Sequence, residues 1–200
     1  MSDIRSEAHA APTVAPLAAH ESRTGHRILA VAITVLLMTL GAYAEVPMPG
    51  NLVPVTLQSM VVILSGVMLG PTLGAAAMIS YVAIGAAGVP VFSGAGAGVG
   101  HLFGPTGGFL MAFPAAAAAA GVIAGPVRRG AAGALRLFVG LALGSIVVFA
   151  GGVPYLAFYV GSIERAIAFG FTPFLLGSVI KLIGAFAVAW RLRERTLRLL

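Results

Sequence analysis

The chain has 200 residues, of which 59% are hydrophobic and only 9% charged, with a net charge of +6. A water-soluble domain carries about 45–50% apolar and roughly 25% charged residues, so this chain has more apolar surface than it can bury within itself, and lipid must cover the rest. There is no cysteine, which excludes disulfides, a thiolate nucleophile and a cysteine metal site.

Residues Met1 to His26 are polar and rich in Ala, Ser, Glu and Arg, and read as a flexible cytoplasmic tail. Six apolar stretches follow, at about Ile28–Ala44, Leu52–Leu69, Pro71–Ala87, Pro105–Ile123, Leu135–Val160 and Phe171–Trp190. Each is near the ~20 residues a bilayer demands, so the expected fold is all-α, with six transmembrane helices. The expected division is a tail at 1–26, a transmembrane binding body at 27–192 and a basic end at 193–200. Ala42-Tyr43-Ala44 also fits a signal-peptide cleavage pattern, but the tail before it is long and the apolar stretch exceeds the usual ~7–15 residues.

The charges set the expected orientation. Arg5, Arg23 and Arg27 lie in the tail, Arg128, Arg129 and Arg136 between spans four and five, and Arg191, Arg193, Arg195 and Arg198 after span six. Ten of the twelve Lys and Arg thus fall on one side, which puts both termini in the cytoplasm. This placement argues for membrane topology and anionic lipid rather than nucleic acid.

Two loops face the other way. Glu45–Gln58 reads EVPMPGNLVPVTLQ, and its three prolines keep it from being helical. Gly88–Gly108 is too apolar for a solvated loop. Both are expected to fold back on the bundle, since irregular backbone at membrane depth is tolerated where it is buried or lines a cavity.

Several chemistries are missing. No Gly-Lys pair exists, hence no phosphate-binding loop of the Walker type. His101 is the only histidine beyond the tail, so neither a multi-histidine metal site nor a cofactor is expected. No Asp or Glu lies well inside a span, which argues against a self-contained proton-coupled carrier. Lys181 is the sharpest feature. A charge at the centre of a membrane helix costs about 2.5–3.5 kcal/mol on insertion scales, and it should find a partner. No protein carboxylate lies at that depth, so a ligand carboxylate is the expected one. Gln58 and Thr56 stand where the first loop enters span two, and could bond a polar head group or cap the helix. Tyr81 needs a partner for its hydroxyl, Phe92 and Phe103 could wall an apolar pocket, and His101 and Asn51 have weaker cases. Gly66, Gly70 and Gly74, and the pair Ala30 and Thr34, could each seat a partner helix.

Taken together, VPVTLQ at Val53–Gln58, GVPVF at Gly88–Phe92, FGPTGGF at Phe103–Phe109 and PFLLGSVIK at Pro173–Lys181 resemble the BioY family. That family comprises the biotin-binding substrate (S) components of energy-coupling-factor (ECF) transporters. The resemblance spans about Ile28 to Trp190 and implies six helices with an outward pocket for biotin. It also implies work with a transmembrane coupling subunit and ABC-type ATPase subunits in the inner (cytoplasmic) membrane. By the resemblance, Lys181 meets biotin together with Gln58, Tyr81, Phe92, Thr56 and position 178. The family usually shows Asp three residues before the lysine, where this chain has Ser178. The chain would then be a carrier component and not an enzyme. A carrier for another carboxylate vitamin, and an intramembrane enzyme using Lys181 or His101, stay open as alternatives.

Overall fold

The computed structural model describes residues 15–46, 52–127 and 130–200, with side chains from Arg23 onward. Asn51, Arg5, Arg128 and Arg129 lie outside the described residues. The elements are helix α1 (Ala15–Tyr43), strands β1 (Glu45–Val46) and β2 (Val55–Thr56), and helices α2 (Gln58–Leu69), α3 (Pro71–Ala86), α4 (Val99–Leu102), α5 (Gly107–Ala124), α6 (Gly130–Val160), α7 (Ile163–Gly170) and α8 (Leu175–Leu199).

Four stretches are long and apolar enough to cross a membrane: Arg23–Tyr43, Gly107–Ala124, Gly130–Val160 and Ile163–Leu199. Helices α2 and α3 are apolar but shorter. Among the described residues there are thus four candidate spans and two shorter apolar helices, of unequal reach. Exposure supports a lipid surround, because Phe158 is 88% and Leu176 74% exposed, values with no rationale in water.

Three expected boundaries shift. The tail is not irregular up to His26, because α1 is helical from Ala15. The second stretch is helical only from Gln58, because Pro54 precedes it and β1 pairs antiparallel with β2 through Glu45↔Thr56 and Val46↔Val55. The fold is thus helical apart from one minimal hairpin. The basic C-terminal end is no separate unit either, since α8 runs through it to Leu199.

The bundle has two packing regimes. At one end, small residues let backbones touch. A Cβ on Gly66 would stand 1.9 Å from Ala117 O, one on Gly74 would meet Gly66 Cα at 2.8 Å, and one on Gly121 would meet Gly66 O at 2.6 Å. The glycine repeat therefore seats α3 and α5 of the same chain rather than a separate partner. Gly70, with φ +85°, makes the turn between α2 and α3. Ile63, Val67, Ala120, Ala124, Leu141, Ala185 and Ala189 fill this half. At the other end the core is built from Met38, Tyr81, Phe92, Phe109, Phe113 and Phe174. Glycines also bring α5 and α6 together at this end, where a Cβ on Gly108 would meet Tyr155 Cβ at 2.2 Å.

Ala30 and Thr34 lie on the stripe of α1 that continues through Met38 and Ala42. Helix α1 packs on α2 and α3, and Thr34 Oγ1 donates to Ala30 O at 2.7 Å. Thr34 is buried, which makes this pair part of an internal seam.

The opposite end carries the arginines. Arg193 is buried, donates from Nε to Val67 O at 2.7 Å and also bonds Gly125 O. One guanidinium thus satisfies carbonyls at the C-termini of α2 and α5, where a cation also suits the helix dipoles. Replacing Arg193 with Met keeps the aliphatic stem and strips both bonds. It is expected to lower stability by about 1–3 kcal/mol, read as an earlier thermal unfolding of the detergent-solubilised protein. An unchanged transition would refute the bracing role.

Candidate functional site

Helices α2, α5 and α8 all begin at the aromatic end, and none has an acidic residue in its first turn. Their first residues, with the loops beside them, enclose a cavity. Its walls include Thr56, Gln58 and Ser59 at the start of α2, Thr106, Phe109 and Leu110 at the start of α5, and Phe174 and Lys181 at the start of α8. Val53, Pro54, Ser93, His101, Phe113, Val148 and Phe149 complete it. No lining residue is acidic. A buried lysine and residues at the starts of α2 and α5 therefore border an apolar cavity, and the lysine makes it favour an anion.

Lys181 is six residues from the start of α8, about 9 Å along the axis. It is 9% exposed, and its Nζ donates to Ser59 Oγ at 3.2 Å. Beyond it lies a recess of about 10 Å³ between Ser59, Ser145, Ser178 and Lys181, room for about one water. On the other side lies a vestibule of about 250 Å³ lined by Glu45, Leu52, Pro54, Ser93, Gly94, His101, Gly104, Pro105 and Thr106. Pro54, Ser93, His101 and Thr106 border both vestibule and cavity and form the neck between them. The cavity itself holds about 60 Å³, small against the roughly 300–1,000 Å³ of ordinary ligand clefts. A vitamin-sized solute fits only if the covering loops shift.

Polar contacts tether those loops to the bundle and to each other, among them Gly98 N to Gly85 O at 2.7 Å and Leu57 N to Gly41 O at 3.0 Å. Glu45 Oε2 accepts from Gly94 N at 3.1 Å, the Tyr43 hydroxyl donates to Pro90 O, and the Tyr155 hydroxyl donates to Leu102 O at 3.3 Å. Behind the neck a polar chain runs from Thr56 Oγ1 to Gln58 Oε1 at 3.2 Å, from Gln58 Nε2 to the Tyr81 hydroxyl at 2.6 Å, and from that hydroxyl to Val91 O at 2.8 Å.

A scan against protein families matches residues 15–198 to the BioY family. The chain belongs to the BioY family. A probable biotin transporter BioY of Pyrococcus horikoshii is 37% identical over 83% of this chain and 95% of its own length. The biotin transporter BioY of Thermotoga maritima is 38% identical over 84% of this chain and 96% of its own. Among solved structures, the crystal structure of the S-component for biotin from an ECF-type ABC transporter superposes with a TM-score of 0.71. It is 22% identical and covers 84% of this chain and 90% of that one, a likeness of fold.

Within this BioY fold the expected site residues separate into two groups. Lys181, Gln58 and Thr56 line the cavity, and Ser178 lines the recess below it. Tyr81 and Phe92 do not line it. Both are fully buried, with rings 5.6 Å apart edge to face, and they back the neck. Phe103 is largely exposed. Sequence reading overlooked Ser59, Ser145 and the ring wall of Phe109, Phe113, Phe149 and Phe174, which look like ordinary span residues until the fold gathers them. It also overlooked Arg193, although Lys181, Ala185, Ala189 and Arg193 recur every four residues on the buried face of α8.

Proposed function

We propose that this chain captures biotin at its aromatic end and serves as the substrate-binding component of an ECF-type transporter in the cytoplasmic membrane. The observation that carries the proposal is Lys181, a buried cation facing an apolar cavity with no acidic residue in its lining. Such a cavity favours a solute that brings its own carboxylate on an apolar body, and biotin has both. Relatives named biotin transporters, matched over nearly their full length, support biotin over other carboxylates and a carrier over an enzyme.

Of the described arginines, Arg23, Arg27, Arg136, Arg191, Arg193, Arg195 and Arg198 belong to the end away from the cavity, where Arg27 Nε donates to Leu200 O at 3.1 Å, and Arg165, in the first turn of α7, does not. The positive-inside rule then puts both termini in the cytoplasm and the cavity outside. A coupling subunit and ABC-type ATPases would supply energy. Purified chain in detergent should bind labelled biotin saturably, and vesicles holding this chain alone should take it up only slowly. Absence of saturable binding would overturn the capture reading, and rapid nucleotide-free uptake would overturn the need for partners.

A further inference from the structure

Lys181 borders the cavity and the recess, whereas His101 borders the cavity and the vestibule, so the two stand at opposite ends of one space. Between them the wall is Phe109, Phe113, Val148, Phe149 and Phe174. The His101 ring is held in place by packing. It stacks on Phe92 with centroids 5.0 Å apart and an interplanar angle of 21°. It also lies against Gly96, where a Cβ would come within 2.3 Å of the ring. Its nitrogens are far less engaged. Among the described residues its hydrogen-bonding partner is the Thr106 hydroxyl, 3.5 Å from Nε2, a long and weak contact.

Charge fixes which end of a solute goes where. Glu45 borders the vestibule, while Lys181 borders the cavity within. A carboxylate is repelled at the rim and attracted within, so a solute enters carboxylate first. Its far end then rests at the neck.

We propose that His101 is a second ligand-contacting residue, bonding the uncharged hydrogen-bonding head of the solute whose carboxylate goes to Lys181. For biotin that head is the cyclic ureido group. The inference rests on the capture reading above. A neutral imidazole can accept from an N–H and donate to a C=O, whereas an imidazolium can only donate. Burial pushes the His101 pKa down, so the neutral form prevails near pH 7.5. The ring here accepts from a ureido N–H, so protonation on acidification removes that acceptor and weakens binding. The titratable or charged groups around it are Glu45 of β1, Tyr81 of α3 behind Phe92, Tyr155 of α6 and Lys181 of α8.

The test uses biotin and its primary amide, which carries no titratable group, against the full chain in detergent at about pH 7.5 and about pH 5.5. His101→Phe keeps the stack on Phe92 and removes the polar atoms. It should weaken both ligands at least about fivefold, equivalent to roughly 1 kcal/mol. The unvaried chain should lose affinity for the amide on acidification, and His101→Phe should show no such slope. A wild-type chain that binds neither ligand overturns the capture reading and this inference together. Wild-type binding with His101→Phe unchanged overturns this inference alone, and so does a weakened variant that keeps the pH slope. If His101→Phe does not fold, His101→Asn replaces it: loss of the slope supports the assignment, and its persistence overturns it.

Discussion

Lys181→Met is expected to weaken biotin binding at least about tenfold, or ~1.4 kcal/mol, without lowering the stability of the ligand-free protein. The two effects separate because the lysine is poorly provided for when the cavity is empty. Its ammonium can donate three hydrogen bonds, and the Ser59 hydroxyl is the partner it has in the structure. A buried charge with so little compensation is destabilising, and an apolar side chain of similar length relieves that. With a carboxylate present the balance reverses, because a charge-assisted bond in a dry cavity forms at that atom. Binding and thermal unfolding measured on the same preparation separate the two terms. Equal affinity in a folded Lys181→Met protein would remove the lysine from the site.

The second large effect concerns the glycine seam. Gly66→Ala places a methyl 1.9 Å from Ala117 O and 2.7 Å from Ala117 C. Both obstacles are backbone, so no side chain can rotate aside, and α2 must move away from α5. Overpacking of this kind costs about 1–3 kcal/mol where side chains can adjust, and the loss here should reach the upper end or prevent folding. Gly177→Ala is the matched control. Nothing lies within 4 Å of a Cβ there, and it sits in the first turn of α8. Removing the backbone freedom of glycine should then leave stability unchanged or raise it by up to about 0.5–1 kcal/mol. Thermal unfolding of both variants tests the pair, and equal transitions would refute the steric account.

Much of the fold was legible because lipid imposes a simple rule on composition. The apolar stretches fold as apolar helical segments of unequal reach, four of them long enough to cross a membrane. What sequence could not supply was where a stretch stops being helical. Leu52–Leu57 reads as part of the apolar stretch that continues into α2, yet Pro54 and the pairing of Val55 with Val46 keep it out of the helix. The lysine stood out because one ionisable group in an apolar run is conspicuous. Tyr81 needs a hydroxyl partner in a span, and in the structure it accepts from Gln58 Nε2 and donates to Val91 O. Arg193 was hidden among its arginine neighbours, since only the helical continuation of α8 turns it inward while Arg191 and Arg195 stay outside.

Helix α3 has 16 residues, about 24 Å of rise, and shows Ile79 and Ile84 on its exposed face. The hydrocarbon layer around it is about 30 Å thick. Along that flank acyl chains must compress or the whole body must lean, at a fraction of a kcal/mol per Å of mismatch. The longer α6, on another side, carries no such constraint. A bilayer crossed by α3 would deform unevenly, and short-chain lipids should then gather beside it.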